Sequence, residues 1–276
     1  MKAIKLLRTF SSVGLLGYGI FAVWLFLILG LLSIVVHQSG CSPAPPFHGT
    51  AFVVALDTNR IGAASDKSQL LVRTEETLRK RLRNVGTRPL MERNAEGQLL
   101  IKLPQLKTNE LASVRRLISK PGLLEFRVVH PESDRLIREG RTALDHEVLK
   151  LKRTHGGQTS DTPYLVKKKP ELGLTGTYLA RSGVESDPIT NQPRILLRFD
   201  SKGADLFAQI TRDNIDRYLA IVLDGELLSA PVIRQAIPSG AAVIDGDFTL
   251  REAYELANVL ESPLEVPYRL VEEGTF

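Results

Sequence analysis

The chain has 276 residues, 43% of them hydrophobic and 24% charged, enough for one or two domains with cores of their own. Its 36 basic and 31 acidic residues leave a net charge of +5, too small and too dispersed to point to nucleic acid. The single cysteine excludes an internal disulfide.

Residues 1–12 carry Lys2, Lys5 and Arg8, and residues 13–36 then run without Asp, Glu, Lys, Arg or His. At 1.5 Å per residue this run would cover roughly 36 Å, more than the ~30 Å hydrocarbon core of a bilayer. It predicts one transmembrane helix, with the cationic flank holding residues 1–12 in the cytoplasm and the chain from His37 onward outside. Without an acid or base inside it, such a helix is an anchor and not a proton relay. The competing reading is a cleaved leader with lipid on Cys41 after Ser39-Gly40, which still tethers the domain to the outer face of the plasma membrane. Residues 37–49 form a linker stiffened by Ser42-Pro-Ala-Pro-Pro46.

Thr50–Leu56 reads as a strand and Asp57–Gln69 as a polar loop. Thr74 is placed to cap a helix that buries Leu78, Leu82 and Val85 and stops at Gly86. The run Arg79-Lys-Arg-Leu-Arg83 on that helix reads as a solvated face, since no aromatic residues interleave with it to stack bases. Strands follow at Arg88–Arg93 and Leu99–Leu103. A helix from Thr108 buries Leu111, Val114, Leu117 and Ile118 and ends at Pro121-Gly122, and Leu123–Val129 is a further strand. That order, over residues 50–129, is the split βαβ, ferredoxin-like pattern.

Residues 130–262 read as a further α+β unit. Pro131–Gly140 suggests a short helix, and His146–Arg153 and Tyr164–Lys168 two strands. Arg194–Phe199 is a strand, and Ser201 is placed to cap a helix whose Gly203, Leu206, Phe207 and Ile210 make one stripe. Leu219–Leu223, the Asp224-Gly225 turn and Glu226–Ala230 are a hairpin. Ala241–Ile244 is a third strand, and Thr249-Leu-Arg-Glu252 is a capping box before a helix with Ala253, Leu256, Ala257 and Leu260 inward. These elements predict one packed sheet with two helices on one side, and an α+β class for the whole.

Chemistry is not signalled. The five histidines share no ligand spacing with one another or with Cys41, and neither Ser39-Gly-Cys nor Ser182-Gly makes a nucleophile elbow. Asp200 reads as a strand-ending residue and Asp205, Asp213 and Asp216 as exposed helix acids. No metal, no cofactor and no enzymatic activity are expected.

Three blocks carry a resemblance: Phe199-Asp-Ser-Lys-Gly-Ala-Asp-Leu-Phe207, Leu219-Ala-Ile-Val-Leu-Asp-Gly-Glu-Leu-Leu-Ser-Ala-Pro-Val-Ile233 and Gly246-Asp-Phe-Thr-Leu-Arg-Glu-Ala253. In this order and spacing they resemble the large extracytoplasmic domain of the SecD family of the Sec protein-export machinery. Thr77–Gly86 and Gly122–Val129 resemble the base half of the same domain, and the resemblance extends from Phe52 to Glu273. It implies a ferredoxin-like base at 50–129, an inserted head at 130–262 and, at 263–276, a return strand to the base and the C-terminus, all in the periplasm on a single-pass inner-membrane anchor. It also implies a non-catalytic role in binding unfolded preprotein emerging from the Sec translocon. Proton coupling would have to come from a separate SecD/SecF-type membrane subunit. The residues expected to meet preprotein are Leu227, Leu228, Val232 and Ile233. The alternative is an extracytoplasmic interaction or scaffold module that has lost proton-coupled export.

Overall fold

The computed structural model describes residues 48–57, 66–84, 86–155, 158–264 and 268–276. The predicted span at 13–36, the linker up to Phe47 and Cys41 lie outside the described residues. Among the described residues no helix is long and apolar enough to cross a membrane. The architecture is α+β.

The first layer, the base, contains β1 (Gly49–Leu56), α1 (Lys67–Asn84), β2 (Leu90–Arg93), β3 (Leu99–Pro104), α2 (Thr108–Ser119) and the last strand, β12 (Tyr268–Thr275). Its antiparallel sheet runs β12-β1-β3-β2. Buried and half-buried residues alternate strictly along the start of β3, the two-residue period of a sheet covered on one face. Phe52, Val54, Ile101 and Leu103 meet Leu78, Leu82, Val114, Leu117 and Ile118 in one core. Helix α1 starts well before Thr74. The Asp66 carboxylate accepts the Ser68 and Gln69 N–H groups at 2.9 and 3.3 Å, so the end of the expected loop and Leu70–Arg73 become the first two turns and Thr74 is buried in mid-helix.

The strand expected to close this sheet does not. Instead β4 (Leu124–Val128) pairs with a strand of the second layer, and β12 takes the place beside β1. Burial gives the reason. Four of the five β4 residues are buried, as in a strand covered on both faces. In contrast, β12 is exposed along most of its length, as suits a sheet edge.

The second layer, the head, contains α3 (Ser133–Arg138), β5 (His146–His155), β6 (Gln158–Lys167), β7 (Leu179–Ser186), β8 (Pro193–Phe199), α4 (Ser201–Asp213), β9 (Leu219–Leu223), β10 (Glu226–Ser229), β11 (Ala241–Ile244) and α5 (Leu250–Glu261). Its strands form not one sheet but three: β10-β9-β4, β11-β8-β7 and the β5-β6 ribbon. Phe126, Ile195, Leu197, Phe207, Ile221 and Leu260 belong to the core shared by the first two. On the other face of β10-β9-β4, Val129, Val222 and Leu227 are covered by Leu151 and Val166 of the ribbon. All five residues of β9 are therefore buried, which is why Leu219–Leu223 is continuously apolar.

Local chemistry sets the turns and caps. Asp224 and Gly225 have φ of 53° and 83°, the left-handed pair of a type I′ hairpin turn. Asp200, rather than Ser201, caps α4, its carboxylate accepting the Gly203 N–H at 2.7 Å. The capping box of α5 forms as expected, with Thr249 Oγ1 accepting the Glu252 N–H and Glu252 Oε2 accepting the Thr249 N–H. Thr249→Ala is expected to cost about 1 kcal/mol in a urea titration. An unchanged midpoint would show that the box contributes nothing.

Candidate functional site

In β10, Leu227 opposes Val222 and Ser229 opposes Ile221, so Leu228 is the extra residue of a β-bulge. A bulge re-aims a side chain out of the strand's alternation. Leu227 is 6% exposed, in the core under the ribbon, whereas Leu228 is half-buried and lines two adjoining clefts. The first, about 420 Å³, has Leu149, Leu151 and Phe248 among its apolar walls and Lys150, Lys152 and Glu226 among its charged ones. The second, about 210 Å³, joins Leu117 of α2 to Leu256 and Val259 of α5, with Arg116, Lys120 and Glu252 among its charged residues. Leu228, Asp247 and Phe248 line both, so the two make one groove spanning base and head. Strand β10 is also the edge of its sheet, which leaves one side of its backbone outside the ladder.

A third cleft, about 350 Å³, includes Val232, Ile233, Phe207, Ile237 and residues of β11. The four residues singled out by sequence therefore do not form one surface. Leu227 and Leu228 line the first cleft and Val232 and Ile233 the third, with Leu227 and Ile233 only 6% and 5% exposed. Sequence reasoning missed Phe248, Leu149 and Leu256. Phe248 had a readable signal, the lone aromatic between a Gly-Asp turn and a capping box.

The chain crosses between base and head twice, outward through Lys120–Leu123 and back through Ser262–Leu264, and Leu264 N–H donates to the Pro121 carbonyl at 2.8 Å. Both crossings hang on Arg81. This residue of the expected solvated run is instead 0% exposed. Its guanidinium donates to the carbonyls of Leu117, Lys120 and Pro121 at 2.9, 2.5 and 2.8 Å, and to those of Ser262 and Val259 at 2.8 and 3.5 Å. Several of these carbonyls belong to the last turns of α2 and α5, the negative ends of two helix dipoles, so a cation suits the place. Burial draws the Arg81 pKa down to about 10, opposed by Tyr268 and then Asp224. The group therefore remains charged at neutral pH. Burial pushes the Tyr268 phenol up.

The outward crossing is held on its other side by the head. Asp224 Oδ1 accepts the N–H groups of Gly122 and Leu123 at 2.8 and 2.7 Å. Gly122 has φ of 91°, and a Cβ there would sit 2.9 Å from the Val259 carbonyl oxygen and 3.1 Å from Arg81 Nη2. Asn258 Nδ2 donates to the Arg81 carbonyl, and Arg116 pairs with Glu255 at 2.7 Å, linking α2 to α5 again.

Asp200, Asp205, Asp213 and Asp216 are all exposed, and among the described residues no three His, Cys, Asp or Glu come together as a metal site. What the groove offers is apolar surface, charges of both signs and the edge strand of a sheet. These suit non-covalent capture of an extended polypeptide.

Residues 146–264 match the family model for the SecDF P1 head subdomain. The chain is 32% identical over 229 residues to protein translocase subunit SecD of Calditerrivibrio nitroreducens, covering 80% of this chain and 43% of that protein. It is 37% identical over 207 residues to the same subunit of Desulfurispirillum indicum, covering 72% and 39%. A solved structure described as that of a membrane component SecDF that enhances protein export aligns with a TM-score of 0.58 at 30% identity, covering 80% of this chain and 98% of that one. The chain thus spans about two-fifths of the length of these curated relatives.

Proposed function

Because the chain belongs to the SecD family, we propose that the groove beside Leu228 takes unfolded preprotein on the outer side of the inner membrane, and that the chain serves protein export without catalysis. The observation that carries this reading is the coincidence, at one place, of the bulged Leu228, the edge of β10 and an apolar groove shared by base and head. A strand edge receives main chain of any sequence, while pockets beside it take alternate side chains. That suits clients that differ in sequence. In this reading the domain is held on the outer side of the membrane, the Sec translocon supplies the client, and a SecD/SecF-type membrane subunit supplies the proton route.

The test is binding of a fluorescent, unfolded segment of a secretory precursor to the full chain in detergent. Leu228→Asp is expected to weaken binding about tenfold or more, as expected for an anchor at the centre of an interface. Leu90→Asp on β2, where Leu90 is 54% exposed, should leave binding unchanged. Equal affinity of the wild type and the Leu228 variant would overturn the assignment of the groove.

A further inference from the structure

One side of the first cleft is strand β5, and the pleat decides what that strand presents. Alternate residues share a face, so Leu149, Leu151 and Arg153 stand together on one side of the strand and Lys150 and Lys152 on the other. Leu151 is 4% exposed and packs with Leu227, while Arg153, one step further out on the same face, is exposed. The strand therefore carries a guanidinium just past the apolar floor and two ammonium groups along the rim. Among the described residues none of the three forms an ion pair, although Asp161 stands opposite Lys152 on β6. The cleft's two carboxylates come from other elements: Glu226, which Lys120 already holds at 3.1 Å, and Asp247. Like charges this close in sequence repel one another, and an incoming carboxylate relieves the repulsion.

We propose that this cationic edge selects among clients: the groove holds extended segments whose apolar residues are flanked by Asp or Glu more tightly than the same segments flanked by Lys or Arg. The proposal rests on the groove reading and adds to it the class of segment that is preferred. Leu228, Leu149 and Phe248 offer apolar contact to any client, and Lys150, Lys152 and Arg153 rank the clients by charge. Charges at the rim of an interface act chiefly on the rate of association and are screened by salt. The preference therefore fades as ionic strength rises, and the apolar contribution does not.

The test titrates the full chain, in a non-ionic detergent, with three fluorescent peptides that share one apolar core and differ only in their flanking residues, Asp, Asn or Lys. At an ionic strength of ~0.01 M the Asp-flanked peptide is expected to bind about tenfold more tightly than the Lys-flanked one, with the Asn-flanked peptide between them, and at ~1 M salt the three should agree within about twofold. The combined Lys150→Glu, Lys152→Glu and Arg153→Glu variant should reverse the order at low salt while still binding the Asn-flanked peptide. All three positions are exposed, so the fold should tolerate the change. The comparison variant carries Arg83→Glu, Arg181→Glu and Lys202→Glu, an equal change of net charge at exposed positions outside the cleft, and should keep the parent's order. Equal affinities of the parent for the three peptides at low salt would overturn the proposal, and so would an order that survives reversal of the β5 cations or is lost equally in the comparison variant. If the Asn-flanked peptide binds and Leu228→Asp weakens it, such a result removes the charge preference and leaves the groove. If none of the three peptides binds, both readings fall.

Discussion

Arg81→Ala is expected to destabilise the fold by about 3–5 kcal/mol, the cost typical of removing one partner from a buried charged network. Two losses combine. The carbonyls of Leu117, Lys120, Pro121, Val259 and Ser262 lose a donor in a place closed to solvent, and each group left unsatisfied there costs about 1–3 kcal/mol before the structure relaxes. The side chain is also among the largest that are fully buried, so its removal opens a cavity between α1, α2 and α5. Relaxation and internal water will recover part of this sum, which is why the total stays near the value for a single buried network. Urea unfolding followed by circular dichroism checks it. A loss below about 1 kcal/mol, the scale of an ordinary exposed pair, would mean that the five bonds are replaced by water at little cost.

Phe126→Ala should be comparably damaging, by about 3–5 kcal/mol, for a different reason. Phe126 is 0% exposed and stands edge-on to Phe199 and Phe207, with ring centroids 5.3 and 5.9 Å away, while those two rings lie 5.2 Å from each other. The three rings come from β4, β8 and α4, so one truncation loosens both head sheets and the helix that packs on them. Edge-to-face pairs of this kind add about 0.5–1.5 kcal/mol each beyond their buried area. Tyr254→Ala provides the comparison. That ring is 57% exposed on α5, and its loss should stay within about 0.5 kcal/mol. Similar midpoints for the two variants would show that the aromatic trio does not hold the head together.

Elements that depend on local chemistry were legible in the sequence, and pairings over long separations were not. The Asp224-Gly225 hairpin and the Thr249–Glu252 box formed where their residues stand, because both need only neighbours within a few positions. Helix α1 was placed but begun late, because Asp66, the cap that sets its start, sits inside a polar stretch that reads as loop. Strand β4 was found as a strand and given to the wrong sheet. Nothing in Leu124–Val128 encodes whether its partner lies at β1 or nearly a hundred residues on, at β9. The division of the head into three sheets was hidden for the same reason, and β7 was passed over altogether.

The site was harder to read than the fold. Leu228 was singled out together with Leu227 and Ile233, which line clefts but are almost wholly buried. The bulge that separates Leu227 from Leu228 depends on how β10 registers with β9, and a run of apolar residues does not reveal it. Arg81 was misread because a basic run on a helix most often faces water. What reverses that expectation is the convergence of two helix ends and two chain crossings on one point, which exists only in three dimensions.

The most direct measurement is site-specific photocross-linking in native membranes, with a photoreactive residue at Leu228 and a secretory precursor stalled during export. The groove reading expects a covalent adduct between the full chain and the precursor from Leu228, and none from the same probe at Leu90 on the outer strand of the base. Adducts of equal yield from both positions, or from Leu90 alone, would contradict it.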